Sequence, residues 1–197
     1  MNEVGPDAHL TNGEGKMTGR KLAALLAAAI ILASLGFAQT AAGSLAPSAT
    51  VPIIDGSMSK GEYSLMQTVS GFWLGTSLSK DGQTLYIGVV AKATGWIAAG
   101  LGSTKMNGSY MIMAYNDGSQ KISEQKGVGH GHVPAEGTKV TKYAVKTVNG
   151  MTCLEFSIPA AEWIKDGTLK LILAASNKAD FTSYHPAIGI VQIPVTK

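Results

Sequence analysis

Residues 95–118 read GWIAAGLGSTKMNGSYMIMAYNDG, and the organisation of the chain follows from this stretch. An apolar run, Trp96–Leu101, gives way to Gly102-Ser103-Thr104. A second apolar run, Tyr110–Tyr115, ends at Asn116-Asp117-Gly118. Asn, Asp and Gly tolerate positive φ and mark tight hairpin turns. The stretch therefore predicts two strands joined by a short polar loop, and Met106 lies within that loop. A methionine between two rigid strands can aim its thioether, a soft ligand, at a metal centre.

The same grammar extends outward. Further apolar runs occupy Gln67–Ser79, Thr84–Ala91, Lys139–Val148, Thr152–Ile158, Thr168–Ala175 and Ile188–Val195, with turn dipeptides at Asp81-Gly82 and Asn149-Gly150. Alternation is clearest at Leu85, Ile87 and Val89 and at Leu154, Phe156 and Ile158. Short strands at this spacing predict an all-β, immunoglobulin-like antiparallel sandwich over residues 51–197. Apolar residues on both sides of a strand, as in Leu85–Ala91, imply burial between layers. Helical periodicity is confined to Pro159–Lys165, which predicts one or two turns.

The N-terminal part differs. Leu22–Leu35 is an apolar run of 14 residues preceded by Arg20 and Lys21. It is short for a bilayer span and suits the core of a secretory signal peptide. A retained N-terminal anchor is the rival reading. Residues 1–42 are read as signal peptide and leader, with translation starting at Met1 or Met17, and residues 43–50 as a flexible linker. The protein is expected outside the cytoplasm, periplasmic or secreted, touching the membrane only transiently through the leader. Cleavage near Ala38 leaves roughly 159 residues, enough for one well-buried core.

The formal net charge is +3, and Arg20 is the only arginine. No basic cluster of the kind that binds nucleic acid is present. Cys153 is the only cysteine, so no internal disulfide and no CxxCH haem attachment exists. Its place in an alternating strand implies a structural role. No triad, acidic dyad or phosphate loop is visible, so no catalytic residue is assigned.

Near the C-terminus, Ser183-Tyr184-His185-Pro186 offers an imidazole just before the last apolar run. Together with residues 95–118, this segment resembles the DOMON family. Those β-sandwich domains include the b-type cytochrome domain of cellobiose dehydrogenase, in which a methionine and a histidine ligate one haem. The opening pattern Asp55-Gly56 and Gly61-Glu62-Tyr63 is similar to the start of DOMON domains and of family 9 carbohydrate-binding modules, and its residues read as structural. The resemblance implies haem b held by Met106 and His185, with Trp96 and Tyr184 beside the cofactor and Asp180 or Tyr184 orienting the imidazole. Ile188 stands where the family often carries an arginine after the histidine. Lys178 is a substitute ligand by resemblance to the haem subunit of ethylbenzene dehydrogenase, which uses methionine with lysine.

His130 and His132, in Gly129-His130-Gly131-His132, share one side only if the segment is extended. They are secondary candidates: a copper or zinc pair, joined by Met111 or Met113 if copper is reduced, or a loop over the cofactor edge. A methionine–histidine pair leaves iron without an open position, which suits electron transfer to a redox partner protein. The alternative is a redox-silent module that binds a carbohydrate, another small-molecule ligand or a protein. Trp73, Trp96 and Trp163 would be its candidate sugar platforms, though each sits among apolar residues.

Overall fold

The computed structural model describes residues 43–196, and the expected signal peptide and leader lie outside the described residues. All regular elements among the described residues are strands. One sheet contains β1 (Pro47–Ser48), β2 (Leu65–Val69), β3 (Phe72–Ser79), β4 (Thr84–Ala91), β9 (Lys142–Val148) and β10 (Met151–Pro159). The other contains β5 (Ile97–Leu101), β6 (Tyr110–Asn116), β7 (Gln120–Val128), β8 (Gly131–Pro134), β11 (Ile164–Lys165), β12 (Thr168–Ala175) and β13 (Ala187–Pro194). Pairing is antiparallel throughout the strand ladders apart from the short β1–β3 contact. The fold is the all-β sandwich that the run-and-turn pattern predicts.

Period-two alternation builds the core. Leu85, Ile87 and Val89 of β4 and Leu154, Phe156 and Ile158 of β10 face Ile97, Ala99 and Leu101 of β5 and Leu171 and Leu173 of β12, all fully buried. Burying each large side chain contributes about 1.5–3 kcal/mol.

Two expectations need correction, one is sharpened, and two strands are not foreseen. The run Gln67–Ser79 is a hairpin rather than one strand, because Ser70 (φ 49°) and Gly71 (φ 85°) make a left-handed two-residue turn between β2 and β3. The 43–50 segment is not a free linker: Leu45 is fully buried and bridges Val195, and Pro47–Ser48 pairs with Leu78–Ser79. Pro159–Lys165 contains a single hydrogen-bonded turn, Trp163 and Ile164 donating to the Ala160 carbonyl, and then β11. Strands β7 and β8 arise in a polar stretch whose alternation is too weak to read.

The outer face of the first sheet is covered by residues 51–64. Glu155, Gly88 and Gly75 lie side by side across β10, β4 and β3. Tyr63 lies over both glycines, where an added Cβ would sit 2.6–2.8 Å from its ring. The Glu155 carboxylate is fully buried. Its Oε2 accepts from the amides of Asp55 (3.1 Å), Gly56 (2.8 Å) and Ser57 (3.0 Å), and its Oε1 from the Tyr63 hydroxyl (2.8 Å). Glu62 accepts from the amides of Ile53 (2.9 Å) and Ser59 (2.7 Å). The opening motif is thus structural: it folds a cover around one carboxylate.

Cys153 faces the same cover. Burial, and then the neighbouring Glu155 charge, push its thiol from 9.0 up to about 12. The same two causes raise the Tyr63 phenol.

Replacing Glu155 by Ala strands three amides and a hydroxyl, and should cost about 3 kcal/mol or more of stability in urea unfolding. Glu62→Ala should cost about 1 kcal/mol. Equal, small losses would contradict the buried cage. A folded pKa above the unfolded one gives stability that is complete below pH 9.0 for Cys153 and is lost as pH rises towards about 12. Cys153→Ala should flatten the stability loss across that window. In the folded protein the thiol should resist thiol reagents at pH 8 and react only on unfolding.

Candidate functional site

The outer face of the second sheet is apolar where a solvated face would be polar. The strand registers set two rows of side chains across it. Met113, Ala98, Ala174 and Ile188 form one row, and Met111, Gly100, Ile172 and Ile190 the other. The residues of β5 in the middle are small, so larger neighbours stand on both sides of a shallow floor. At Gly100 an added Cβ would come within 2.7 Å of the Ile172 methyl and 3.2 Å of Met111. A cavity of about 450 Å³ lies over this floor. That size falls in the range of small-molecule sites. Ile188 and Ile190, 44% and 55% exposed, leave its β13 side open to solvent.

Met106, His185, Trp96, Tyr184, His130 and His132 all line this one cavity. The loop carrying Met106 leaves β5 at Leu101. The loop carrying His185 follows β12, whose Ala175 pairs with Ile97 at the other end of β5. The two loops therefore rise at opposite ends of a floor about 13 Å long.

Each loop is held by a glycine that admits a close backbone approach. At Gly127 of β7 a Cβ would fall 1.7 Å from the Met106 carbonyl oxygen. The Gly108 amide donates to the Gly127 carbonyl (3.0 Å) and the Gly127 amide to the Ser109 carbonyl (2.9 Å). The Ser109 hydroxyl donates to the Met106 carbonyl (2.7 Å), and the Gly129 amide to Asn107 Oδ1 (2.9 Å). Met106 is thus pinned against β7, and its side chain is half-buried.

At Gly95 a Cβ would sit 2.2 Å from the Lys178 carbonyl oxygen. The Gly95 and Trp96 amides donate to the carbonyls of Ser176 (3.1 Å) and Lys178 (3.0 Å). Trp96 is buried and donates from Nε1 to the Ser183 hydroxyl (3.1 Å), tying the floor to the His185 loop. Its ring meets the His185 imidazole edge-on, with centroids 5.9 Å apart. Tyr184 stacks on the same imidazole at 5.2 Å and 16°. His185 Nδ1 is buried and makes no hydrogen bond among the described residues.

Asp180 does not orient His185. Its carboxylate accepts from the amides of Thr182 and Ser183, and those amides hold it below the usual carboxylate range. Lys178 does not line the cavity: its side chain is exposed, and its backbone bonds Trp96. His132 Nδ1 lies 3.3 Å from Oε1 of the buried Gln125, which in turn donates to Ser123. No group of three or more His, Cys, Asp or Glu side chains that would hold a metal ion occurs among the described residues. Trp163 is buried away from this site, against Tyr110.

The residues present fit a haem. The floor is apolar, a soft thioether and an imidazole rise at its two ends, and a buried imidazole nitrogen lacks a partner among the described residues. Sequence reasoning missed Gly127 and the Trp96–Ser183 tie, since both depend on segments far apart in the chain.

Gly127→Ala should cost about 2 kcal/mol or more, because the new methyl meets the backbone of Met106. Amide exchange at Gly108 and Ser109 should accelerate with it. Gly131→Ala, whose Cβ would meet only the Val128 carbonyl at 3.8 Å, should change stability by less than about 0.5 kcal/mol. Equal effects would contradict the clamp.

No family model and no curated protein matches this chain. Among solved structures, the chain is similar to the cytochrome b domain of pyranose dehydrogenase from Coprinopsis cinerea, with 16% identity and a TM-score of 0.51 over 64% of this chain and 77% of that one. The cytochrome domain of cellobiose dehydrogenase from Myriococcum thermophilum also aligns, with 17% identity and a TM-score of 0.47 over 70% and 80% of the two chains. The described domain therefore has the fold of the pyranose dehydrogenase cytochrome b domain.

Proposed function

We propose that this chain is an exported b-type haem domain that relays electrons, with Met106 and His185 as the axial ligands. The observation that carries the reading is that a methionine and a histidine from two clamped loops line one apolar cavity. A haem held there by the Met106 thioether and the His185 imidazole would supply one-electron transfer with no position left for oxygen. The chain's own residues do the rest. Ala98 and Gly100 leave room between the two loops for the edge of a planar group, and Met111, Met113, Ile172 and Ala174 would surround that edge with apolar side chains. Trp96 and Tyr184 hold the imidazole ring from two directions. Tyr184, 80% exposed, brings the ligand side of the site to the surface, where a redox partner protein would dock. Export rests on the apolar run Leu22–Leu35.

Protein purified from haem-sufficient cells should show a reduced low-spin spectrum with sharp α and β bands. Met106→Ala and His185→Ala should each abolish those bands. His132→Ala and Lys178→Ala should keep them. Protein that stays colourless after haem addition would overturn the proposal and leave a redox-silent binding module. Loss of the bands in His132→Ala but not in His185→Ala would move the nitrogen ligand to β8.

A further inference from the structure

The cavity is electrically lopsided. Among the described residues that line it, Lys105 is the single permanently charged side chain, and no aspartate or glutamate joins it. Lys105 is exposed and makes no ion pair among the described residues. Its backbone is fixed, since its amide donates to Ser103 Oγ (3.1 Å) and the next residue is Met106, pinned over Gly127. Thr104, His130 and His132 add polar groups to the cavity wall. His132 belongs to the same side as Lys105, because it pairs with Gly127. The wall formed by β12 and β13 is the opposite in kind: Ile172, Ala174, Ile188 and Ile190 present no polar side-chain atom.

We infer that this asymmetry orients the ligand: the carboxylate-bearing edge of an anionic planar macrocycle faces Lys105 and the β7–β8 hairpin, and its apolar edge packs on Ile188 and Ile190. The inference rests on the haem reading above and adds to it which way round the group sits. A carboxylate set against the isoleucine wall would lose hydration without a partner, a cost of several kcal/mol in an apolar setting. At the Lys105 rim it keeps water and gains an opposite charge on a flexible stem that reaches over the opening. With no acidic side chain at the cavity to compete for it, that cation is free for the ligand. The site therefore selects for charge as well as for shape, favouring an anionic amphiphile over a neutral one.

The test compares two probes, iron protoporphyrin IX and its neutral dimethyl ester, titrated into the wild-type protein and into Lys105→Ala. The wild type should bind the diacid more tightly than the ester, and added salt should weaken the diacid alone. Lys105→Ala should weaken the diacid about threefold to tenfold, remove most of its salt dependence, and leave the ester unchanged. Ile190→Glu should weaken both probes, since it sets a charge against the apolar edge. Equal losses for diacid and ester in Lys105→Ala, or no loss for either, would overturn the orientation while the haem reading stands. Failure of both porphyrins to bind the wild type would overturn the haem reading and the orientation with it.

Discussion

Each sheet of this sandwich buries one face in the shared core, and each carries an outer face that is also not made for water. Covering those two outer faces is the constraint on which the rest of the structure depends. The first sheet is covered by its own chain: residues 51–64 fold down on Gly75 and Gly88, and the buried Glu155 carboxylate gathers three amides and the Tyr63 hydroxyl. Among the described residues the second sheet has no such cover over Ala98, Gly100, Ile172 and Ala174, and a cavity of about 450 Å³ lies there. An apolar floor flanked by loops is the kind of surface on which small-molecule ligands bind.

The difference between the two faces lies in their small residues and in what reaches over them. On the first sheet, glycines at matching positions of β3 and β4 admit the Tyr63 ring. On the second, alanine and glycine in β5 sit between the larger methionines of β6 and the isoleucine of β12. Two more glycines, Gly95 and Gly127, then let backbone from distant segments press against the strands and bring His185 and Met106 to the two ends of the floor. The loops that carry Met106 and His185 are thus positioned by backbone contacts, as a preorganised site requires.

Much of the fold is legible in the chain. Alternation at Leu85–Val89 and Leu154–Ile158 and the turns at Asp81-Gly82, Asn116–Gly118 and Asn149-Gly150 correspond to hairpins or strand pairs. The polar strand β7 is not legible, because Glu124 and Gln125 spend their side chains on Tyr110, Val140 and Ser123 rather than on alternation. The short β1 escapes for another reason: GSLAPSAT has the composition of a linker, and it is held by long-range contacts, Leu45 with Val195 and Pro47–Ser48 with Leu78–Ser79. For the site, Met106 and His185 stand out by lying in loops without apolar periodicity, and the cavity does contain both. The clamps of the two loops arise from packing between segments far apart in the chain, as with Gly127 against Met106 and Ser183 against Trp96, 87 residues away, for which local sequence carries no signal. The mismatch at Ile188 is also informative: the position is on an open apolar wall rather than at a charged rim.

The central claim is that haem fills the uncovered face of the second sheet between Met106 and His185. Anomalous diffraction at the iron edge, from crystals of the protein reconstituted with haem, tests it most directly. The account predicts one iron peak above Ala98 and Gly100, with the Met106 sulfur on one side and a His185 ring nitrogen on the other. An iron peak coordinated elsewhere on the domain, or iron in the cavity held by neither side chain, would contradict it.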